Sequence, residues 1–207
     1  MVFSGIVEGT AVVSRITKET GLYKLEIETS PDFSSGLQIG GSVCIDGVCL
    51  TASSIESNSL GFDIMMETLD VTTLNNVKKN DIVNVERSVK LGDEIGGHLV
   101  SGHVSEVITV FEVERPENNH VITFQTNSEV MRYIFPKGYI ALNGVSLTVG
   151  EVNRSDNRFS VYLIPETLRL TNLGRKEVGD SINLEIETQT RNMVDTISVI
   201  TKETING

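Results

Sequence analysis

The stretch Asp46-Gly47-Val48-Cys49-Leu50-Thr51-Ala52 returns 97 positions later as Asn143-Gly144-Val145-Ser146-Leu147-Thr148-Val149. The same offset pairs Ser4-Gly5-Ile6-Val7 with Ser101-Gly102-His103-Val104. Beyond a two-residue insertion the offset becomes 99. Met66-Glu67-Thr68-Leu69 then answers Pro165-Glu166-Thr167-Leu168, and Val83-Asn84-Val85-Glu86 answers Ile182-Asn183-Leu184-Glu185. Four blocks in one order at nearly one spacing mark a duplicated domain, the period being too long for a solenoid. The 207 residues therefore divide into two units of about a hundred residues, each able to bury its own core. The expected bounds are 1–97 and 98–187, with a tail over 188–207 outside the repeat.

Most of the chain reads as short strands rich in Val, Ile and Thr, divided by Gly, Asn, Asp and Ser. Tyr23–Glu28 alternates strictly, and Val121–Phe124 is a second example. Asp46-Gly47 and Asn143-Gly144 are tight-turn dipeptides between apolar runs, so each predicts a β-hairpin. Closure removes exposed strand edges, which favours a small Greek-key barrel over a sandwich in each half. Helical signals are few: Ser128–Ile134 with Ser128 as its capping residue and Pro136 beyond it, one or two turns opening at Glu67 and at Glu166 with Leu74 and Leu173 following at helical spacing, and the tail, while His120 in Glu117–His120 reads as a loop tip. There Met193, Ile197 and Ile200 form one stripe, to be buried either on the protein's own barrels or in a bundle of several copies.

A formal charge of −11 argues against nucleic acid or an anionic membrane as partner and makes an uncharged ligand easier to seat. No basic stretch followed by an apolar core opens the chain, and no apolar run approaches the ~20 residues of a membrane span. A cytoplasmic location is expected. Cys44 and Cys49 then read as reduced thiols, with a disulfide between them as the alternative.

The mismatches of the repeat point to chemistry. Cys49 stands opposite Ser146, His103 opposite Ile6, and Lys137 opposite Gly40. One copy carries a thiol, the other an imidazole, an ammonium and a hydroxyl. Each has a plainer reading: a lone Cys is usually a small core hydrophobe, His103 can be a satisfied strand histidine, and Lys137 a solvated loop lysine. His98 and His103, five apart, do not make a metal-ligand spacing. Gly96-Gly97 has no downstream Gly-Lys-Ser/Thr, and Gly-x-Ser-x-Gly is absent, so phosphate-loop and hydrolase-elbow readings fall away.

Six segments together carry a resemblance. They are Phe3–Glu8, Asn84–Arg87, Gly96–His103, Lys137-Gly138, Gly144–Val149 and Ile164–Thr167. With them the chain resembles the riboflavin synthase family over essentially its whole length. The resemblance implies an all-β fold of two tandem similar six-stranded Greek-key β-barrels with a C-terminal α-helix, assembled as a homotrimer, and association with lumazine synthase. It also implies a dismutation in which two molecules of 6,7-dimethyl-8-ribityllumazine exchange a four-carbon unit. The products are riboflavin and 5-amino-6-(D-ribitylamino)uracil, and neither metal nor organic cofactor takes part. One lumazine would sit in the N-terminal barrel of one subunit, the other in the C-terminal barrel of its neighbour. Holding two rings in register supplies effective concentration.

Carried over by motif, the N-barrel contacts are Ser4, Gly5, Ile6, Val7, Cys49, Leu50, Thr51, Asp63, Ile64, Met65, Met66, Glu67 and Thr68. The C-barrel contacts are Gly102, His103, Val104, Lys137, Ser146, Leu147, Thr148, Tyr162, Leu163, Ile164, Pro165, Glu166 and Thr167. The implied roles are proton transfer at His103 and nucleophilic activation at Cys49. Ser146, Thr148 and Lys137 would stabilise the carbanion-like charge. Glu187 stands where relatives often carry a catalytic Asp. The chain departs from the family at the inserted Val2, at Ser4 in place of Thr, and at Asn75 and Asn143. The second reading, a non-catalytic lumazine- or flavin-binding antenna, fits less well because Cys49, His103, Lys137 and Ser146 are all present.

Overall fold

The structure is a computed structural model describing residues 2–117 and 119–206, without the side chains of 203, 205 and 206. Met1, Asn118 and Gly207, which belong to the expected opening segment, loop tip and tail, lie outside the described residues. The N-terminal unit runs β1 (Gly9–Glu19), β2 (Leu22–Glu28), α1 (Pro31–Ser34), β3 (Ser42–Ile45), β4 (Val48–Glu56), β5 (Ser59–Met65), α2 (Met66–Asp70) and β6 (Ile82–Arg87). The second repeats it as β7 (Glu106–Glu114), β8 (His120–Gln125), α3 (Ser128–Met131), β9 (Tyr139–Leu142), β10 (Val145–Asn153), β11 (Arg158–Leu163), α4 (Pro165–Leu170) and β12 (Ser181–Ile186). The tail is α5 (Thr188–Asn206).

Each unit is a closed antiparallel six-stranded barrel. The strand order β1-β2-β5-β4-β3-β6 is repeated as β7-β8-β11-β10-β9-β12. Alternation decides which face is buried: in β2, Leu25 and Ile27 are wholly inside while Lys24 stays outside. Bulges interrupt β1 between Val13 and Arg15 and β7 between Val110 and Glu112, at matching positions. A second matched pair lies in β4 and β10. Such bulges bend strands toward closure. Two separate cores result, one around Leu25, Ile27 and Phe62, the other around Phe124 and Phe159, whose rings stack at 5.5 Å.

Both hairpins form at the expected dipeptides. Asp46 and Gly47 have φ of 45° and 81°, Asn143 and Gly144 45° and 79°, the positive values a type I′ turn needs. Three expectations need correction. The helix expected over Ser128–Ile134 is one turn, Ser128–Met131, capped by the Asn127 side chain rather than by Ser128. Leu74 and Leu173 do not extend the short helices but lie in separate 3-10 turns. His120 is no loop tip: it opens β8 and is buried, because strand pairing with Leu163 draws it under the barrel rim.

The barrels meet through a two-fold polar network. Asn84 Nδ2 donates to the Asn143 carbonyl (2.9 Å) and Asn183 Nδ2 to the Asp46 carbonyl (2.8 Å). The Asn172 N–H donates to Asn84 Oδ1 and the Thr73 N–H to Asn183 Oδ1. Buried amides that are fully paired in this way fix one relative orientation, since any slip leaves donors unpaired. Phe3 and Val100 add a two-hydrogen-bond bridge over a small apolar cluster with Cys44 and Ala141.

Candidate functional site

The period of two along β4 and β10 sorts the candidate residues. Leu50 and Leu147 point into the cores, while Cys49, Thr51, Ser146 and Thr148 face outward. In β5 and β11, Ile64 and Leu163 are buried, and Asp63, Met65 and Tyr162 face outward. Leu50, Ile64, Leu147 and Leu163 therefore offer a ligand only their backbone. On each barrel the outward-facing candidates run on into a short helix: Met66, Glu67 and Thr68 in α2, Pro165, Glu166 and Thr167 in α4. Ile164, just before α4, is exposed, and the Glu166 carboxylate accepts from Arg169 Nε at 2.9 Å.

The grouping expected from the sequence is corrected at the segments that precede β1 and β7. They cross over. Ser146 in the C-terminal barrel donates its N–H to the Gly5 carbonyl (2.8 Å), and Cys49 in the N-terminal barrel donates to the Gly102 carbonyl (2.9 Å). Val7 belongs to the C-terminal core and Val104 packs on the N-terminal one. Gly5, Ile6 and Val7 thus face Ser146, and Gly102, His103 and Val104 face Cys49. Buried carboxylates secure the crossing. Glu86 accepts from the Ser4 N–H and hydroxyl, both at 2.7 Å, and Glu185 accepts from the Ser101 N–H (2.7 Å), Ser101 hydroxyl and Gly102 N–H. The Ser4 hydroxyl is committed to Glu86 rather than to a ligand. Burial pushes the Glu86 carboxyl up to about 7, against the pull of Ser4.

The crossing gives the two pockets different chemistry. Beside Cys49 stands the exposed His103. Cys44 and Cys49 are cross-strand neighbours and both are free thiols. Burial raises the Cys49 thiol above its ordinary value, with a partly offsetting hydrogen bond from Ser42, so a thiolate there needs a base. Beside Ser146 a cleft of about 170 Å³ is lined by Gly5, Ile6, Val7, Ile164 and Thr167 among others. Wider clefts lie elsewhere, about 440 Å³ between the barrels at Asp46 and Lys176 and about 600 Å³ beside Glu86 and Lys90. Several charged groups line both, whereas the smaller cleft has aliphatic walls, a few hydroxyls and Glu166 as its one charged residue, a lining that suits a flat uncharged ring.

Lys137 and Gly40 occupy one position of the repeat, each donating its N–H across to the bulged strand, to Val149 and Ala52. Gly40 has φ of 86° and Lys137 66°. A lysine held left-handed where the sister copy uses glycine carries a strain of about 1 kcal/mol, and such strain concentrates at functional positions. The Lys137 side chain is exposed at the end of the Ser146–Thr148 face.

Glu187 caps α5. Its carboxylate accepts from the Gln189 N–H, the Thr190 N–H (2.7 Å) and the Thr190 hydroxyl (2.6 Å), and these bonds, opposed by partial burial, hold it below the usual glutamate range. Sequence reasoning missed His98. The ring is buried, its Nδ1 lies 2.7 Å from Ser146 Oγ, and it stacks on Tyr139 at 5.3 Å. Among the described residues no cluster of three or more His, Cys, Asp or Glu could hold a metal, and no helix is long and apolar enough to cross a membrane.

Two tandem barrels with matching outward-facing candidate residues, and a cleft beside Ser146 on the second, define a duplicated small-ligand-binding protein, and the comparisons with known proteins give it a family. The lumazine binding domain matches twice, over residues 4–88 and 101–187. The chain is 45% identical to riboflavin synthase of Escherichia coli K12, covering 94% of this chain and 91% of that one. It is 41% identical to riboflavin synthase of Chlamydia pneumoniae over 96% of both. A crystal structure of LumP complexed with riboflavin superposes with a TM-score of 0.83 at 24% identity, over 89% of this chain and 98% of that one, a likeness of fold. The chain belongs to the lumazine-binding riboflavin synthase family.

Proposed function

We propose that the protein is the transferase that converts two molecules of 6,7-dimethyl-8-ribityllumazine into riboflavin and 5-amino-6-(D-ribitylamino)uracil. The observation that carries the reading is the pair of crossed segments, which sets His103 beside Cys49 on one barrel and Gly5 to Val7 beside Ser146 at the equivalent place of the other. A reaction between two copies of one molecule needs equivalent places with unlike side chains. The reacting rings must be held alike, and one must become the four-carbon donor and the other the acceptor.

In this reading Cys49 and His103 serve one lumazine. His103 moves a proton and Cys49 adds to the ring, the thiol requiring a base because burial disfavours its ionised form. Ser146, Thr148 and Lys137 serve the other, orienting its ring and stabilising the negative charge left when a ring methyl gives up its proton. Glu187 closes that side from the start of α5. No step calls for a cofactor. Identities of 37–45% to several riboflavin synthases favour the enzyme over an antenna protein.

The reacting pockets meet between subunits of a homotrimer, with α5 as the seam, and the protein works in the cytoplasm, where association with lumazine synthase would deliver substrate directly. The apolar stripe supports the seam: Met193, Ile197 and Ile200 are all more than half exposed in the single chain, although Asp195 beside them is fastened to Tyr133 and Arg132. The test is incubation with the lumazine alone while riboflavin absorbance is followed. Wild-type protein is expected to produce it and Cys49→Ser to slow it about tenfold or more. Near-normal turnover by that variant would remove Cys49 as nucleophile, and tight binding without product would favour the antenna.

A further inference from the structure

The Ser146 hydroxyl is hydrogen-bonded to a buried imidazole, that of His98. His98 presents Nδ1 to Ser146 Oγ at 2.7 Å and is held there from three directions. Its ring stacks on Tyr139, with the planes 22° apart. Tyr139 itself pairs with Thr148 across β9 and β10, so the stack is tied to the same outward face. Gly97, just before it, is pressed so tightly that a Cβ there would lie 2.3 Å from the Ser4 carbonyl oxygen and 2.8 Å from Ser146 Oγ. The ring is only 7% exposed, and Nε2 has no hydrogen-bond partner among the described residues.

We propose that His98 is the positioning residue of the Ser146 pocket: Nδ1–H donates to the Ser146 oxygen, which leaves the Ser146 hydroxyl proton free for an acceptor atom of the bound lumazine. The inference rests on the reading that this pocket holds substrate. Its logic is a choice between tautomers. Burial lowers the His98 pKa, outweighing the smaller opposing pull of the Glu187 charge, so the ring is neutral near pH 7 and carries one N–H. A proton on Nε2 would bury an N–H with no acceptor and would spend the Ser146 proton on Nδ1. A proton on Nδ1 leaves only a bare lone pair on Nε2, the cheaper of the two orphans. The hydroxyl then becomes a directed donor.

The sister pocket is built differently. There the Cys49 thiol is hydrogen-bonded with Ser42, which occupies the position of Tyr139 in the repeat. A hydroxyl beside a thiol and a wedged imidazole beside a hydroxyl are different donor arrangements. The two pockets thus differ in hydrogen-bond polarity, and His98 sets that difference on the Ser146 side.

The chain has three histidines, so imidazole 15N shifts of labelled wild-type protein, assigned with His98→Asn, read the tautomer directly and without turnover. The expected result is a proton on Nδ1 of His98; a proton on Nε2 overturns the proposal. In turnover, His98→Phe keeps a flat ring against Tyr139 but has no donor. It is expected to lose about tenfold in kcat/KM, close to the loss in Ser146→Ala, and the double variant to lose no more than either alone. His98→Asn, which can place an amide N–H where Nδ1–H lies, is expected to recover much of that activity. Losses that multiply in the double variant, or wild-type activity in His98→Phe, contradict it. Should His98→Phe not fold, the tautomer decides alone. A wild-type protein that makes no riboflavin would sink the functional reading instead, leaving the tautomer result standing.

Discussion

Gly47 and Gly144 meet face to face where the two barrels join. A Cβ on Gly47 would lie 2.8 Å from the Gly144 nitrogen, and one on Gly144 would lie 3.0 Å from the Gly47 nitrogen. Both residues are left-handed, with φ of 81° and 79°. Each glycine is therefore required twice, by its own hairpin and by the other one. Gly144→Ala is expected to lower stability by about 2 kcal/mol or more, the left-handed cost plus the contact that must open. A urea unfolding midpoint unchanged from wild type would contradict this packing.

Lys137→Gly separates strain from function. Glycine suits the left-handed backbone that Lys137 is forced to adopt, as Gly40 shows in the sister copy. Stability is expected to hold or to rise by up to about 1 kcal/mol, while turnover falls. If stability and activity fall together, or activity is untouched, Lys137 is a loop lysine after all.

Two buried carboxyls make stability depend on pH. Burial raises Glu86 from 4.5 to about 7 and Asp46 from 3.8 to about 6, against the pull of their Ser4 and Asn84 hydrogen bonds. Between the unfolded and folded values the native state holds the extra protons. The stabilisation is thus complete below the unfolded pKa and is lost as pH rises through the folded one. Unfolding free energy is expected to fall by on the order of 4 kcal/mol between pH 5 and 8. Glu86→Gln, which imitates the protonated acid, should flatten the upper part of that slope. An equally steep slope in the variant would show that Glu86 does not titrate there.

Much of this architecture is legible in the sequence. The offsets of 97 and 99 reveal the duplication, and the Asp46-Gly47 and Asn143-Gly144 dipeptides mark both hairpins. The crossing of residues 3–8 and 101–104 is not legible, because a repeat states which residues correspond, not which copy each one lies against. Period-two alternation could have removed the side chains of Leu50 and Leu147 from the ligand contacts, since each is flanked by outward-facing Cys49 and Thr51 or Ser146 and Thr148. His98 escapes for another reason. At offset 97 its counterpart is Met1, outside every matched block, and a histidine that fails as a metal ligand leaves no other periodic trace. Glu187 enters only through the family resemblance, and its grip on Thr190 shows only once α5 is in place.

Assembly is tested by mass in solution. The proposed homotrimer is expected at three times the 22.6 kDa chain mass. Ile197→Lys, placing a charge in the stripe, should shift the mass toward one chain and take activity with it. A wild-type monomer with full activity would refute the intersubunit arrangement.

The central claim is that two unlike pockets act on two copies of one molecule. Its most direct test is the stoichiometry of a reaction containing only the purified protein and 6,7-dimethyl-8-ribityllumazine, with substrate and both products quantified by chromatography. The expected result is one riboflavin and one 5-amino-6-(D-ribitylamino)uracil for every two lumazines consumed, without added metal or cofactor. Lumazine bound but not consumed, or riboflavin formed without the pyrimidine, would contradict it.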